Sequence, residues 1–256
     1  MRLATFNLLH GRSPADGVVD PDRLVAAVKS LDADVLALQE VDRGQERSGG
    51  LDQTALVADA LGAADARFVP ALVGTPGEQW REAGVADADA SPTYGVGLVS
   101  RLPVARWRRI PLGTSPARLP LLIDARRPAL VRDEPRVAVA AELAGDGLVG
   151  TVVSTHLSFA PGVNVAQLLR LARALRDARR PVVVLGDLNL PGPVPSFVLP
   201  GWRSLVRGPT FPAEDPRVQL DHVLVREPAR LDAEGSTVEL PVSDHRGLVV
   251  ELRARP

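Results

Sequence analysis

Asn7, Glu40, His156, Asp187, Asn189 and the pair Asp244-His245 share one property: each stands at or just beyond the end of a short apolar run. Such runs read as buried strands, and the loops at strand ends gather at one rim of a sheet, where sites form. The set consists of carboxylates, amides and imidazoles. The chain has no cysteine, which excludes thiolate nucleophiles, disulfides and cysteine-ligated zinc. Hard oxygen donors without clustered histidines favour Mg2+ or Mn2+.

Spacing adds detail. Asp187 and Asn189 are two residues apart, so extended backbone projects them from one face, and Gly186 before them leaves room for close approach. The same residues also suit a turn, since Pro191-Gly192 follows. Asp221 and the distant Asp244-His245 suggest an imidazole oriented and kept cationic by a carboxylate. Asp221 taken alone equally reads as a strand-end ion pair. A lone Glu40 reads as a solvated strand end, and a lone His156 as a packed histidine.

The elements that must position these groups follow from periodicity. Residues 3–8 and 34–40 read as strands, and Asp20-Pro21 reads as a helix start with Leu24, Val28 and Leu31 on its buried face. A second helix spans about 52–61 and stops at Gly62. Strands are expected near 68–73, 96–100, 104–110, 137–143 and 148–154, the last two joined by a turn at Asp146-Gly147. A helix over 164–179 carries Leu168, Leu171 and Leu175 on one face and leads to a strand at 181–187. Further strands are expected at 219–225, 237–240 and 247–252. Residues 74–93 read as a surface loop, and residues 111–135, rich in Pro and Arg, as an unassigned excursion. The order fits two mixed sheets packed face to face with helices outside, in a single domain over 1–256.

Hydrophobic residues make up 45% of the 256 residues, enough for a large core. The net charge of -1 argues against a strong sequence-blind attraction to nucleic acid. Neither 74–93 nor 111–135 interleaves basic and aromatic residues as a nucleic-acid track does. Arg106, Arg108 and Arg109 around Trp107 fit a half-exposed strand better than a phosphate-binding patch. The opening apolar stretch is too short for the centre of a signal peptide, and no stretch is long enough to span a bilayer. A cytoplasmic protein is therefore expected.

The segments Thr5-Phe6-Asn7, Leu38-Gln39-Glu40-Val41-Asp42, Gly95 to Arg101, Ser154-Thr155-His156-Leu157, Gly186-Asp187-Leu188-Asn189, Leu220-Asp221-His222 and Ser243-Asp244-His245 occur in that order. Together they resemble the motif series of endonuclease/exonuclease/phosphatase hydrolases. The resemblance implies a four-layer α/β sandwich and a phosphoesterase that uses Mg2+ or Mn2+. It implies Glu40 as principal metal ligand, with Asn7 and Asp244 near the metal directly or through water. It further implies that Asp187 deprotonates the attacking water, Asn189 positions phosphate or nucleophile, and His156 contacts phosphate. His245, paired with Asp221, would stabilise the pentacoordinate phosphorus or protonate an oxygen. His10 and His222 fall outside the catalytic set, and Arg47, Arg101, Arg136, Asp42 and the Asp52-Gln53 pair are expected in structural roles. The expected substrate is a small or lipid-like phosphoester, with a nuclease and an inactive binding protein on the same fold as alternatives.

Overall fold

A computed structural model of the protein describes residues 1–115, 118–123, 127–226 and 231–255. In chain order the elements are β1 (Arg2–Asn7), α1 (Pro21–Leu31), β2 (Val35–Arg43), α2 (Gln53–Leu61), β3 (Asp65–Gly74), β4 (Trp80–Glu82), β5 (Thr93–Ser100) and β6 (Val104–Gly113). They continue with β7 (Arg118–Ile123), β8 (Arg127–Arg132), β9 (Arg136–Leu143), β10 (Thr151–His156), α3 (Val163–Ala174) and β11 (Val182–Asp187). The last are α4 (Val194–Val198), β12 (Trp202–Ser204), β13 (Asp221–Arg226), β14 (Leu231–Val238) and β15 (Gly247–Ala254).

Two mixed sheets form, one of seven strands in the order β14-β15-β1-β2-β5-β3-β4 and one of six in the order β12-β13-β11-β10-β9-β6. Strand alternation sorts their side chains into layers. Leu3, Val35, Ala37, Val183 and Leu185 point into the apolar layer between the sheets. The neighbouring Ala4, Phe6, Leu36 and Leu38 face the opposite way, onto Leu24, Val28 and Leu31 of α1 and Val57 of α2. Val182 and Val184 likewise face Leu168, Leu171 and Leu175 on the α3 side. The result is the four-layer α/β sandwich, with helices outside both sheets.

The helix starts obey their capping residues. Asp20 accepts hydrogen bonds from Asp22 N and Arg23 N, Pro21 opens α1, and Asp52 accepts from Ala55 N at the start of α2. Gly62 ends α2 in the left-handed conformation. Helix α3, however, stops at Ala174, short of 179. The Arg179 carbonyl accepts a hydrogen bond from Thr151 Oγ1 and the Pro181 carbonyl accepts from Gly150 N, so the chain must leave the helix early to enter β11.

Other differences also have local causes. The expected loop 74–93 contains β4, which pairs antiparallel with β3, and the unassigned 111–135 stretch contains the β7-β8 hairpin. Of that stretch, residues 116–117 and 124–126 lie outside the described residues. Strand β14 covers Leu231–Val238, not 237–240, because its pairing with β15 extends along the whole edge. Strand β2 does not end at Glu40. It runs to Arg43, with a bulge in which Gln39 and Glu40 together oppose Val96 between the Leu38-Gly97 and Val41-Gly95 pairs. Glu40 takes φ 53 there, and such a bulge re-aims a side chain that a regular strand would direct elsewhere.

The strands β1 and β2 run parallel, as do β10 and β11, so their carboxyl ends meet at one rim of the sandwich. Beneath that rim a buried polar bridge joins the sheets: Thr5 Oγ1 donates to Gln39 Oε1, Gln39 Nε2 to Ser154 Oγ, and Ser154 Oγ to the Leu38 carbonyl. Gly186, opposite Thr155 in the ladder, has φ +149, and a Cβ there would lie 1.9 Å from the Thr155 carbonyl oxygen. Backbone must move to admit any side chain. The Gly186→Ala variant is expected to lose at least about 3 kcal/mol of stability in urea unfolding; an unchanged midpoint would contradict this close packing.

Candidate active site

Asp187 is the meeting point. It ends β11, is 2% exposed, and directly opposes Asp221 in β13. Its Oδ1 accepts a hydrogen bond from Asn189 N at 2.9 Å, and its Oδ2 accepts one from Asn7 Nδ2 at 3.1 Å. Two imidazoles flank the same Oδ2: His156 Nε2 at 3.5 Å and His245 Nε2 at 3.8 Å. Burial pushes the Asp187 carboxyl well up from its ordinary value, against the opposing pull of His245.

The two histidines are tuned in opposite directions. His245 Nδ1 lies 2.8 Å from Asp221 Oδ2, and its ring packs on Phe211 with centroids 4.9 Å apart. Burial works against its charge, but the Asp221 and Asp187 carboxylates outweigh it and push the imidazole up to about 10. His245 is thus an imidazolium at neutral pH. His156 is held well below its ordinary value, first by burial and then by the Arg136 guanidinium, whose Nη1 lies 3.2 Å from His156 Nδ1.

Asn7 spans the two sheets. Its Nδ2 donates to Glu40 Oε1 at 3.1 Å as well as to Asp187, while its Oδ1 accepts from Leu9 N. Burial pushes Glu40 up, the Asn7 hydrogen bond and the His245 charge oppose it, and the Asp244 and Glu134 carboxylates push it further. Asn7 is its one hydrogen-bonding side chain among the described residues. Asn189, in the left-handed region at φ 49, donates from Nδ2 to the Leu157 carbonyl and sits 3.2 Å from His156 Nε2. Asn164 Nδ2 in turn donates to the Asn189 carbonyl at 2.8 Å.

The structure therefore gathers Asn7, Glu40, His156, Asp187, Asn189, Asp221, Asp244 and His245 at one rim, although 237 positions separate Asn7 from Asp244. Structural pairing holds for Arg101 with Asp32, and for Arg47, which grips buried Asp42 through Nε and Nη2 at 2.8 and 2.7 Å. His222 Nε2 bonds the Leu190 carbonyl in the interior. His10 lies in a short turn beside Asn7, its imidazole lowered to about 4 by burial and the nearby Arg47. Arg136 pairs with Glu134 as expected and also touches His156. Glu134, a half-buried carboxylate 3.8 Å from Arg136, has no site role in the sequence reading, and Glu134-Pro135 immediately precedes β9.

The model of the Endonuclease/Exonuclease/phosphatase family matches residues 4–245. The chain belongs to this family. Its fold is similar to an endonuclease/exonuclease/phosphatase protein from Beutenbergia cavernae, with 25% identity and a TM-score of 0.70 over 100% of this chain and 72% of that one. It is also similar to the human Nocturnin catalytic domain with bound sulfate, at 19% identity and a TM-score of 0.65 over 99% and 94% of the chains. A mannosyl-6-phosphatase from Bacteroides thetaiotaomicron aligns at 14% identity with a TM-score of 0.62, over 99% of each chain. The last two likenesses concern the fold alone. A search of curated proteins finds no match to the sequence. Among the described residues, no helix of this family member is long and apolar enough to cross a membrane.

The His245-Asp221 pair has a pH signature. The imidazolium is favoured in the folded chain, so its contribution to stability is complete below about pH 6.5 and is lost as pH rises through about 10. Asp221→Asn leaves that buried cation without its nearest carboxylate, at a cost on the order of 3 to 5 kcal/mol near neutral pH. Denaturant unfolding of the two proteins should show this gap at neutral pH and a much smaller one above about pH 10. A gap independent of pH would mean that His245 is not charged in the native state.

Proposed function

We propose that the protein hydrolyses a phosphoester by in-line attack of water, with Mg2+ or Mn2+ held by Glu40 and with Asn7 and Asp244 near the ion. The observation that carries this reading is the imbalance of charge around Glu40. Its burial is opposed by one neutral amide donor and by the charge of His245, while Asp244 and Glu134 add negative charge. A hard divalent cation suits such a set of oxygens.

Asp187, Asp221 and His245 also lie close enough together to share an ion, their ligand atoms all falling within 4.8 Å. That triangle suits a metal less well. His245 Nδ1 is committed to Asp221, and the imidazolium has no lone pair to offer. The Glu40 side of the rim is the better candidate.

When bound, the ion would polarise a phosphoryl oxygen and shield charge on the leaving oxygen. Asp187, raised by burial, would take the proton of the attacking water. Asn189 and neutral His156 would orient the phosphoryl group, and cationic His245, held by Asp221, would stabilise the charge that accumulates at phosphorus. The contributing residues come from both sheets, so residues 1–256 are read as one catalytic unit.

The substrate reading favours a small or lipid-like phosphoester over long nucleic acid. Arg108 and Arg109 donate to the Ala174 and Ala83 carbonyls, and the Arg67 guanidinium lies over the Trp107 ring. This strand is therefore occupied by the protein's own groups. Its Arg106 stands opposite Glu142 in the β6-β9 ladder, at the other end of β9 from Arg136. A screen with added Mg2+ or Mn2+ over sugar phosphates, phospholipids, nucleotides and nucleic acids would test the substrate class; efficient cleavage of nucleic acid alone would overturn it.

The metal assignment has its own test. Calorimetric titration with Mn2+ should register binding by the wild type and loss of most of it in Glu40→Ala. Unchanged affinity in a folded Glu40→Ala variant would place the ion elsewhere.

A further inference from the structure

His156 and His245 flank the same carboxylate oxygen, yet their Nδ1 atoms meet opposite partners. A carboxylate oxygen accepts, and Asp221 Oδ2 lies 2.8 Å from His245 Nδ1, so His245 Nδ1 carries a proton. Arg136 presents the reverse case. A guanidinium has five N–H donors and no acceptor, and its Nη1 lies 3.2 Å from His156 Nδ1 with both residues 6% exposed.

We infer that Arg136 is a positioning residue that fixes the tautomer of His156, forcing Nδ1 to accept and leaving the ring proton on Nε2, where it points toward Asp187 and the open rim. The neighbours of Nε2 support this. Its approach to Asn189 Nδ2, at 3.2 Å, sets two nitrogens together, and the amide nitrogen already has an acceptor in the Leu157 carbonyl. Were Asn189 to donate to Nε2 instead, the ring proton would sit on Nδ1 and point into the guanidinium. The Leu157 carbonyl takes one of the two amide hydrogens, and the guanidinium cannot become an acceptor. A charge-assisted bond is also the stronger of the two. The nearest carboxylate oxygen to Nε2–H is then Asp187 Oδ2, at 3.5 Å.

Arg136 is well placed to hold this orientation. It opens β9, whose pairing with β10 sets Ala138 opposite Thr155 beside His156. Its Nη2 lies 3.8 Å from Glu134, and its buried Nε has no hydrogen-bond partner among the described residues. The guanidinium thus spends its buried contacts on one carboxylate and one imidazole. If the phosphoesterase reading holds, His156 is a neutral donor to a phosphoryl oxygen, distinct in role from the cationic His245. The tautomer assignment itself does not depend on that reading.

The test uses protein labelled with 15N at histidine, at neutral pH and without substrate or metal. Long-range proton-nitrogen correlation spectra distinguish a protonated ring nitrogen from one bearing a lone pair, and the His156 signals are those lost in His156→Gln. The wild type is expected to have a lone pair on His156 Nδ1 and a hydrogen on Nε2. Arg136→Lys, which retains a donor and a charge, should keep that pattern. Arg136→Met should release it, giving averaged nitrogen shifts of two exchanging tautomers. A protonated Nδ1 in the wild type overturns the inference, and so does a folded Arg136→Met variant with an unchanged His156 pattern. If Arg136→Met fails to fold, the wild-type and Arg136→Lys spectra decide: a lone pair on Nδ1 in both supports the inference, and a hydrogen there in either overturns it. Failure of catalysis on every phosphoester would overturn the functional reading and leave these spectra unchanged.

Discussion

A carboxylate withdrawn from water costs free energy unless its oxygens are satisfied, and Asp187 is withdrawn almost completely at the seam between two sheets. Its oxygens are met by an amide from β1, a backbone N–H from the loop after β11 and two imidazoles from different strands and loops. Each of those partners must reach the same point, the farthest to within 3.8 Å. That requirement ties the register of β10 and β11, the ends of β1 and β2, and the loop before β15 to one another. Gly186 is the local expression of the constraint, since only a residue without Cβ lets β11 run this close to Thr155.

The charges around that point are arranged in opposition. Asp221 supports a cation on His245, Arg136 disfavours one on His156, and Asn7 stretches between Glu40 and Asp187. A single amide joining two carboxylates from different sheets keeps them at fixed separation without neutralising either. In the proposed mechanism that separation matters, because Glu40 would hold the ion and Asp187 would serve the water. The bulge in β2 is equally necessary, since it turns Glu40 toward Asn7 at a strand position that otherwise continues to Arg43.

Much of this was readable in the sequence because it follows local rules. Asp20-Pro21 and Asp52 announce helix starts, Gly62 announces a stop, and the continuous apolar run Val35 to Leu38 marks a strand buried on both faces. The Asp221-His245 pairing was expected from residue types and the family motif series, and the structure brings the two to 2.8 Å. The parts that were not readable depend on distant partners. The contact of Arg136 with His156 exists because β9 lies against β10, and nothing in Glu134-Pro135-Arg136 encodes that neighbour. The bulge at Glu40 depends on where β5 pairs with β2, and the early end of α3 on a carbonyl that Thr151 claims. The Gln39-Ser154 bridge likewise joins two strands whose polar residues look unremarked in isolation.

The central claim is that Asp187 is the proton acceptor for water and not merely a buried structural carboxylate. The most direct measurement compares Asp187→Asn with the wild type on a phosphoester that the protein hydrolyses, recording turnover and substrate affinity separately. The substitution is nearly isosteric and can still accept a hydrogen bond from Asn189 N. The account predicts a folded protein with near-normal affinity whose turnover falls by about two orders of magnitude or more. A folded Asp187→Asn variant with near-wild-type turnover would contradict it.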